Sequence, residues 1–203
     1  MKLLSIEVLT MKRAEKRAFN RQLIISTTDQ LIRQQGISQT SIRQISEQSG
    51  LSIMTIYKYF TDKTDLINQT IIAMLNEQFD QADQIILSQE MPFAERIQKI
   101  PGPDKFIQTV PGGIGQEIID AVKQTPILDE TLQNRISQFF QIIIVEGRKS
   151  NFIQTSASDQ AIIDLLSMIS FRDRRKSREP NPKRAMEIGH ILLYGLTNPG
   201  PNE

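Results

Sequence analysis

The chain has 203 residues, of which 39% are hydrophobic and 23% charged, so it carries enough apolar side chains for a folded core. Cysteine is absent and His190 is the single histidine. This composition excludes a disulfide scaffold and a thiolate metal site, and it argues against a zinc enzyme or a Ser-His-Asp hydrolase. Residues 1–9 include Glu7 and are too few for a signal peptide or a membrane span. We therefore expect a soluble cytoplasmic protein with no metal, cofactor or membrane partner.

The formal net charge of +1 hides an uneven distribution along the chain. Residues 1–63 carry ten Lys or Arg and five Asp or Glu, a net charge of +5, whereas residues 64–203 carry a net charge of −4. A basic end on a mildly acidic remainder is typical of a protein that binds a polyanion at that end. Ordinary scatter of surface charge can give the same balance. Charge alone therefore does not distinguish a polyanion-binding end from an ordinary protein surface.

Helical spacing of apolar residues begins at about Asn20, after a basic lead-in over residues 1–20, and continues to Gln35. Gly36 is suited to end this helix. Two short helices and a long one follow, each after a hydroxyl side chain suited to an N-cap: 41–48 after Thr40, 53–59 after Ser52, and 62–88 after Thr61.

The remainder of the chain is also helical by its apolar period. The predicted helices are 92–100, 116–123, 128–149, 159–171 and 183–197. The stretch 101–115 holds three prolines and four glycines and is predicted to be a loop. We predict an all-α fold of about nine helices. Its two domains are a basic arm with a three-helix N-terminal domain over residues 1–65, and a helical bundle over residues 66–203.

Two short helices joined by a glycine turn have the sequence form of a helix-turn-helix. The first would support the second, Ile53–Tyr59, which is placed to enter a major groove. Leu51, Ile56 and Phe60 are predicted to face inward, leaving mostly polar, aromatic and basic side chains outside for base and phosphate contacts. An ordinary helical corner has the same spacing, so this pattern alone does not establish DNA binding.

The stretch TSIRQISEQSGLSIMTIYKYFTDKTDL, residues 40–66, resembles the signature of the TetR family of transcriptional regulators. That signature combines a threonine-capped helix, a glycine turn, Ser-x-x-Thr-Ile/Leu-Tyr-x-Tyr/His-Phe and Lys-x-x-Leu. The matching residues are Thr40, Gly50, Ser52, Thr55, Ile56, Tyr57, Tyr59, Phe60, Lys63 and Leu66. The resemblance covers residues 20–68, and the remainder fits by length and helix count.

The resemblance implies a homodimer whose three N-terminal helices bind duplex DNA and whose C-terminal bundle binds a ligand and dimerises. By position, it implies contacts to base edges or nearby phosphates from Thr40, Ser41, Ser52, Ile53, Met54 and Thr55. It implies contacts to the DNA backbone from Tyr57, Lys58, Tyr59 and Lys63. This chain departs from the family at Ile53 and Met54, where small and polar residues are common. Because both side chains are apolar, we expect them to pack on thymine methyl groups, unless Ile53 turns inward.

The last two helices are rich in apolar residues, and we predict that they form the dimer interface as half of a four-helix bundle. The predicted interface residues are Ile162, Leu165, Leu166, Ile169, Ile188, Ile191 and Leu192. Alternatively, these helices are the core of a single bundle. An apolar or amphipathic effector is expected between the long helices 62–88 and 128–149, with the loop 101–115 near the entrance. The sequence assigns no individual ligand-binding residue.

The sequence is consistent with three functions. The first is a repressor that binds a palindromic operator as a homodimer and is released by a small molecule. The second is an architectural or constitutive DNA-binding factor of the same fold without a ligand. The third is an enzyme, but no nucleophile, base and stabiliser occur at suitable spacing, so we predict no catalytic activity.

Overall fold

The computed structural model describes residues 12–100, 114–175 and 182–198. These residues form nine α-helices and no β-strand, which confirms the predicted fold class. The helices are α1 Arg13–Gln35, α2 Ile42–Ser49, α3 Ile53–Ile56, α4 Lys63–Leu87, α5 Phe93–Lys99, α6 Gly115–Gln124, α7 Pro126–Lys149, α8 Asp159–Arg175 and α9 Pro182–Thr197.

Two of the N-terminal helices differ in length from the prediction. Helix α1 begins at Arg13 rather than near Asn20, so most of the described part of the basic lead-in is helical. The stretch holds good helix formers and no breaker, although it has no apolar period. Helix α3 ends at Ile56 rather than Tyr59, because the amides of Lys58 and Tyr59 bond to carbonyls three residues back and tighten the chain into a turn.

Two predicted N-caps are each displaced by one residue. Helix α2 is capped by Ser41 instead of Thr40: the Ser41 hydroxyl accepts the Gln44 amide while the Gln44 side chain accepts the Ser41 amide. At the start of α4, Asp62 accepts the Asp65 amide at 2.8 Å and takes the role predicted for Thr61. The cap of α3 at Ser52 is confirmed.

The chain divides into two compact units, and the described part of the first is residues 12–77 and 114–131. Its core joins α1, α2, α3 and the start of α4. The buried residues are Ile24, Ile25, Leu31, Ile42, Ile45, Ile56, Phe60 and Leu66, with Leu51 packed against them. The inward orientation predicted for Leu51, Ile56 and Phe60 is therefore confirmed. The domain boundary at residue 65 stays a prediction.

The described part of the second unit is residues 78–100, 132–175 and 182–198. Phe79 and Phe139 meet edge to face with ring centroids 5.8 Å apart, which joins α4 to α7. A second cluster buries Ile144, Ile153 and Ile162. Within the described ranges, no helix is both long and apolar enough to cross a membrane.

Several predicted features lie outside the described residues. They are the loop over 101–113, the side chain of His190 and that of Ile169.

Candidate nucleic-acid interface

The turn between α2 and α3 depends on Gly50, whose φ of 69° and ψ of 9° lie in the left-handed region. The Gly50 amide bonds to the Ser46 carbonyl at 3.1 Å, and the Ser46 hydroxyl donates to the Leu51 carbonyl at 2.7 Å. A single serine thus ties both sides of the turn. This arrangement fixes the direction in which α3 leaves α2.

The short helix α3 is held at its start by its own hydroxyl groups. The Ser52 hydroxyl accepts the Thr55 amide at 3.2 Å, and the Ser52 and Thr55 hydroxyls lie 2.8 Å apart. Ile56 is fully buried beneath the helix. One side of α3 is therefore fixed to the core and the other side is free to meet a ligand.

The free side of α3 is apolar at its first turn. Met54 is 74% exposed and Ile53 is 43% exposed, so the alternative in which Ile53 turns inward is wrong. Met54 contributes little to the core of its own chain, and a large part of Ile53 also stays on the surface. They suit a partner with methyl groups, such as thymine in a major groove.

The predicted phosphate-contacting residues surround the exposed side of α3. Tyr57 and Lys58 are exposed, while Tyr59 and Lys63 are half-buried. The Tyr59 hydroxyl accepts a hydrogen bond from the Asn20 amide at 3.3 Å. The structure therefore brings these four residues to the turn after α3 and the first residue of α4.

Thr40 does not lie on this surface. Its side chain is fully buried, and its hydroxyl donates to the Gly36 carbonyl at 2.8 Å. This corrects the assignment of its side chain to DNA contact, because a buried hydroxyl bonded to the end of α1 is not available to an external partner. The other residue of this pair, Ser41, is half-buried and keeps part of its surface exposed.

Sequence reasoning missed how α1 supports the interface. Arg21 lies over the Phe60 ring at 5.6 Å and donates to the Gln69 side chain. Together with Asn20, it connects α1 to the turn after α3 and to α4. In the sequence Arg21 is one more cation of a basic cluster, and nothing in its spacing indicates this partner.

Asp65 organises the start of α4. Its carboxylate accepts the Gln69 amide at 2.7 Å and the Thr61 backbone amide at 2.8 Å. The hydrogen bond from Gln69 contributes most to holding the pKa of the Asp65 carboxyl below its usual range, with further help from Thr61 and the charge of Arg21. A negative charge at this end of a helix is also favoured by the helix dipole.

The face predicted to dimerise is exposed in part. Ile191 is 72% exposed, and the neighbouring Tyr194, which the sequence analysis did not assign, is 73% exposed. Leu165 is also exposed, and three further predicted residues are half-buried: Leu166, Ile188 and Leu192.

Ile162, one of the residues predicted for the dimer interface, lies in the core of its own chain instead. Ile162 is only 3% exposed and packs with Ile144 and Ile153 in the core of its own chain. This corrects its assignment to the dimer interface, because a side chain already enclosed by its own chain has no surface to offer a second copy.

A groove of about 640 Å³ lies between the second half of α4 and helix α7. Its apolar lining includes Leu87, Ile142 and Val145. Five charged residues also line it: Asp80, Asp83, Arg135, Glu146 and Lys149. Its surface is therefore amphipathic.

The charges of the groove are mostly paired. Arg135 reaches Asp80 at 2.9 Å and also bonds to Asp83, whose other carboxylate oxygen is buried without a hydrogen-bond partner. The Lys149 ammonium, 2.7 Å from Glu146, is the main reason why the pKa of the Glu146 carboxyl lies below its usual range. Within the described residues, no group of three acidic or histidine side chains could hold a metal ion.

The described residues form nine helices, with a short, exposed helix after a glycine turn, and they define an all-helical protein with an N-terminal helix-turn-helix domain. Residues 24–70 match the sequence model of the family described as bacterial regulatory proteins, tetR family. The chain therefore carries the N-terminal domain of the tetR family of bacterial regulatory proteins, and the resemblance noted in its sequence is confirmed.

Solved structures share the fold over most of the chain. A structure described as a TetR-family transcriptional regulator from Mesorhizobium loti is 16% identical, with a TM-score of 0.57 over 92% of this chain and 97% of that one. The reduced form of E. coli NemR is 12% identical, with a TM-score of 0.52 over 88% and 94%. A structure described as the molecular basis for control of antibiotic production by bacterial hormones is 15% identical, with a TM-score of 0.52 over 87% and 96%. No curated protein matches the chain.

Proposed function

We propose that the protein is a sequence-specific repressor that binds a palindromic operator as a homodimer and releases it when a small molecule binds. The observation that carries the proposal is the exposed side of α3, where Ile53 and Met54 stand beside Tyr57 and Lys58 on a helix fixed by Gly50 and Ser52. This side offers apolar groups for base edges next to a cation for phosphate, as direct readout in a major groove requires.

Dimerisation is supported by the apolar exposure of the last two helices. Leu165 of α8 and Ile191 and Tyr194 of α9 are large apolar or aromatic side chains that are exposed in the single chain, and burial against a second copy would remove them from water. Among the described residues, no atom outside the neighbouring backbone of α9 lies within 4 Å of the position that a Cβ on Gly195 would take. A two-fold dimer would place two copies of α3 at a fixed separation, and the operator would then be palindromic.

Release by an effector is supported by the groove between α4 and α7. Its amphipathic surface suits a molecule with an apolar body and a polar end. One of the fold neighbours above concerns the control of antibiotic production by bacterial hormones. From that protein we carry over to this chain only the proposal that a small organic molecule acts as the effector.

Selection of duplexes from a random library by the purified chain tests the DNA-binding part of the proposal. The expected product is a two-fold symmetric motif with half-site centres roughly one helical turn apart, about 34–36 Å. A Met54→Ala variant should lose selectivity at the recognition positions, and Lys123→Ala, an exposed lysine of α6, is the matched control. A wild-type chain that enriches no motif contradicts sequence-specific binding.

Release is then measured on the selected duplex with a library of amphipathic molecules. A compound that dissociates the wild-type complex supports the repressor. If no compound acts and the chain bends or bridges DNA instead, the architectural or constitutive factor is the correct reading. Substitution Val145→Trp, which fills the groove, should weaken the response to an active compound while leaving DNA affinity unchanged.

A further inference from the structure

The first two turns of α1 form the most basic exposed segment among the described residues near the interface. Residues 12–18 are all exposed and include Lys12, Arg13, Lys16 and Arg17 against the single acid Glu15. The Glu15 carboxylate is turned back to the Lys12 amide at 3.0 Å. None of the four cations forms an ion pair with any described residue. We call residues 12–18 the basic extension.

The basic extension is not explained by the stability of its helix. Cations at the first turns of a helix face the positive end of the helix dipole, where negative charge is favoured. The segment also buries no apolar side chain that would hold it in place. An external anion would relieve the repulsion among these cations.

The register of α1 places the basic extension beside the helix-turn-helix. At 100° per residue, Arg13, Lys16 and Arg17 fall on the same side of the helix as Asn20 and Arg21. Asn20 bonds to the Tyr59 hydroxyl, and Arg21 lies over Phe60. The cations therefore continue the face of α1 that packs on the turn after α3.

Distance along the helix decides what these cations can reach. Lys16 lies four residues before Asn20 and Arg13 seven residues before it, which is about 6 Å and about 10 Å along the axis. Phosphates of one DNA strand follow at about 3.4 Å along the duplex axis. With α1 aligned along a strand that is contacted at Tyr59, the basic extension would span two or three further phosphates.

From this juxtaposition we infer that the basic extension is a second DNA-contacting element, which binds the phosphates flanking each half-site. The inference rests on the proposed function, and it concerns residues before the segment 24–70 that matches the family. Its partner is duplex DNA, because the segment is continuous with the face that holds Tyr59 and because its charge is complementary to a phosphate backbone. Lys16 and Arg17 supply direct contacts, and Arg13 the outermost one.

The test compares the full-length wild-type chain with a double variant, Arg13→Gln and Arg17→Gln, on the duplex selected by the wild type. Glutamine keeps helix propensity and removes the charge. Loss of two phosphate contacts should reduce the slope of log affinity against log salt by about 1.8, and the affinity at 0.1 M salt by roughly tenfold to hundredfold. The matched control is Lys99→Gln with Lys123→Gln, which removes two exposed lysines outside α1.

Hydroxyl-radical footprinting provides the second readout. The wild type should protect backbone positions outside each half-site, and the double variant should lose that outer protection while keeping the central protection and the same consensus. Equal helicity of both chains by circular dichroism controls for folding.

Each other outcome overturns the inference in a distinguishable way. An unchanged slope and footprint in the double variant, with normal wild-type binding, overturns the inference alone. Loss of binding by the double variant to vesicles of anionic phospholipid, with unchanged DNA binding, assigns the basic extension to a membrane surface instead. A wild-type chain that binds no duplex overturns the proposed function and the inference together.

Discussion

Met54 and Ile53 give the interface its most specific chemical character. Neither side chain donates or accepts a strong hydrogen bond, and both are exposed at the first turn of α3. Their contribution to recognition must therefore come from apolar contact and from shape. In the major groove the only methyl group on a natural base edge is that of thymine.

We expect thymine in the half-site opposite Met54. Replacing that thymine by uracil removes one methyl group and should weaken wild-type binding about fourfold, since a buried methyl is worth about 0.8 kcal/mol. The Met54→Ala variant should bind both duplexes equally. A consensus of G·C pairs at these positions contradicts the expectation.

Lys58 and Lys63 are expected to act on phosphate. Lys58→Ala or Lys63→Ala should weaken binding to all sequences alike and lower the salt slope by about 0.9 each, because one counterion fewer is released per lost contact. Titrations at several salt concentrations measure this, with Lys123→Ala as control. A variant that keeps its slope and changes its sequence preference would reassign the residue to base readout.

Asp65 makes the stability of the first unit depend on pH. Because its pKa is lowered in the folded chain, its stabilising effect is present at neutral pH and is lost as pH falls through the folded-state pKa. Denaturant titrations at neutral and strongly acidic pH should show a smaller acid loss for Asp65→Asn than for the wild type. Asp164→Asn, which removes an exposed carboxylate of α8, controls for net charge.

At the scale of elements, the helix-turn-helix could be predicted from the sequence. The residues at which its helices begin and end could not. The apolar positions of α2, α3 and the start of α4 mark one buried side, and Gly50 marks the turn. The end of α3 at Ile56 depends instead on backbone hydrogen bonds, which the residue types at these positions do not predict. The start of α1 at Arg13 was missed because an exposed helical segment has no apolar period.

The support of Gly36 by Glu117 also escaped the sequence, because 80 residues separate Glu117 from Ile37. The Glu117 carboxylate accepts the Ile37 amide at 2.8 Å, and its Oε1 lies only 2.7 Å from the position of a Cβ on Gly36. Gly36 also has a φ of 87° and a ψ of 167°, a conformation essentially confined to glycine. Helix α6 is thereby fixed to the end of α1.

Gly36→Ala should destabilise the chain by about 2–4 kcal/mol, mainly because its backbone conformation is strained for any residue but glycine. The flexible Glu117 side chain would also have to move aside and give up its hydrogen bond to the Ile37 amide. Gly50→Ala should cost less, about 1–2 kcal/mol, because Gly50 lies in the left-handed region that other residues can adopt and has open space around its Cβ position. Adding Glu117→Ala to Gly36→Ala should recover the steric part of the loss. A double variant no more stable than Gly36→Ala alone would contradict the steric role given to the carboxylate.

At the scale of the whole molecule, the nine helices of the described residues could be predicted from apolar spacing, whereas the effector could not. The groove between α4 and α7 combines apolar residues with paired charges that come from positions 52 and 55 residues apart. Such combinations depend on packing rather than on local sequence. For the same reason the exposure of Tyr194 was not anticipated.

The expected assembly is a homodimer with a two-fold axis through the contacts of α8 and α9. Light scattering at micromolar concentration should give twice the mass of 23.2 kDa. Ile191→Lys should shift the mass toward the monomer, because it places a charge in the centre of an apolar contact. It should also weaken operator binding, because a monomer can contact only one half-site. The matched change Leu87→Lys, at another exposed apolar residue, should leave the mass unchanged.

The hydrogen bond from Ile37 to Glu117 has a consequence for anyone who wishes to exchange recognition specificity between regulators of this fold. A chimera joined within α4 would carry α1, α2 and α3 of this chain without its α6, and the Ile37 amide would lose its acceptor. A foreign residue at the position of Glu117 would also face Gly36 with a different shape. The transferable recognition module is therefore discontinuous: it includes the described residues 114–131 as well as the N-terminal helices, and an effective graft must move both pieces together.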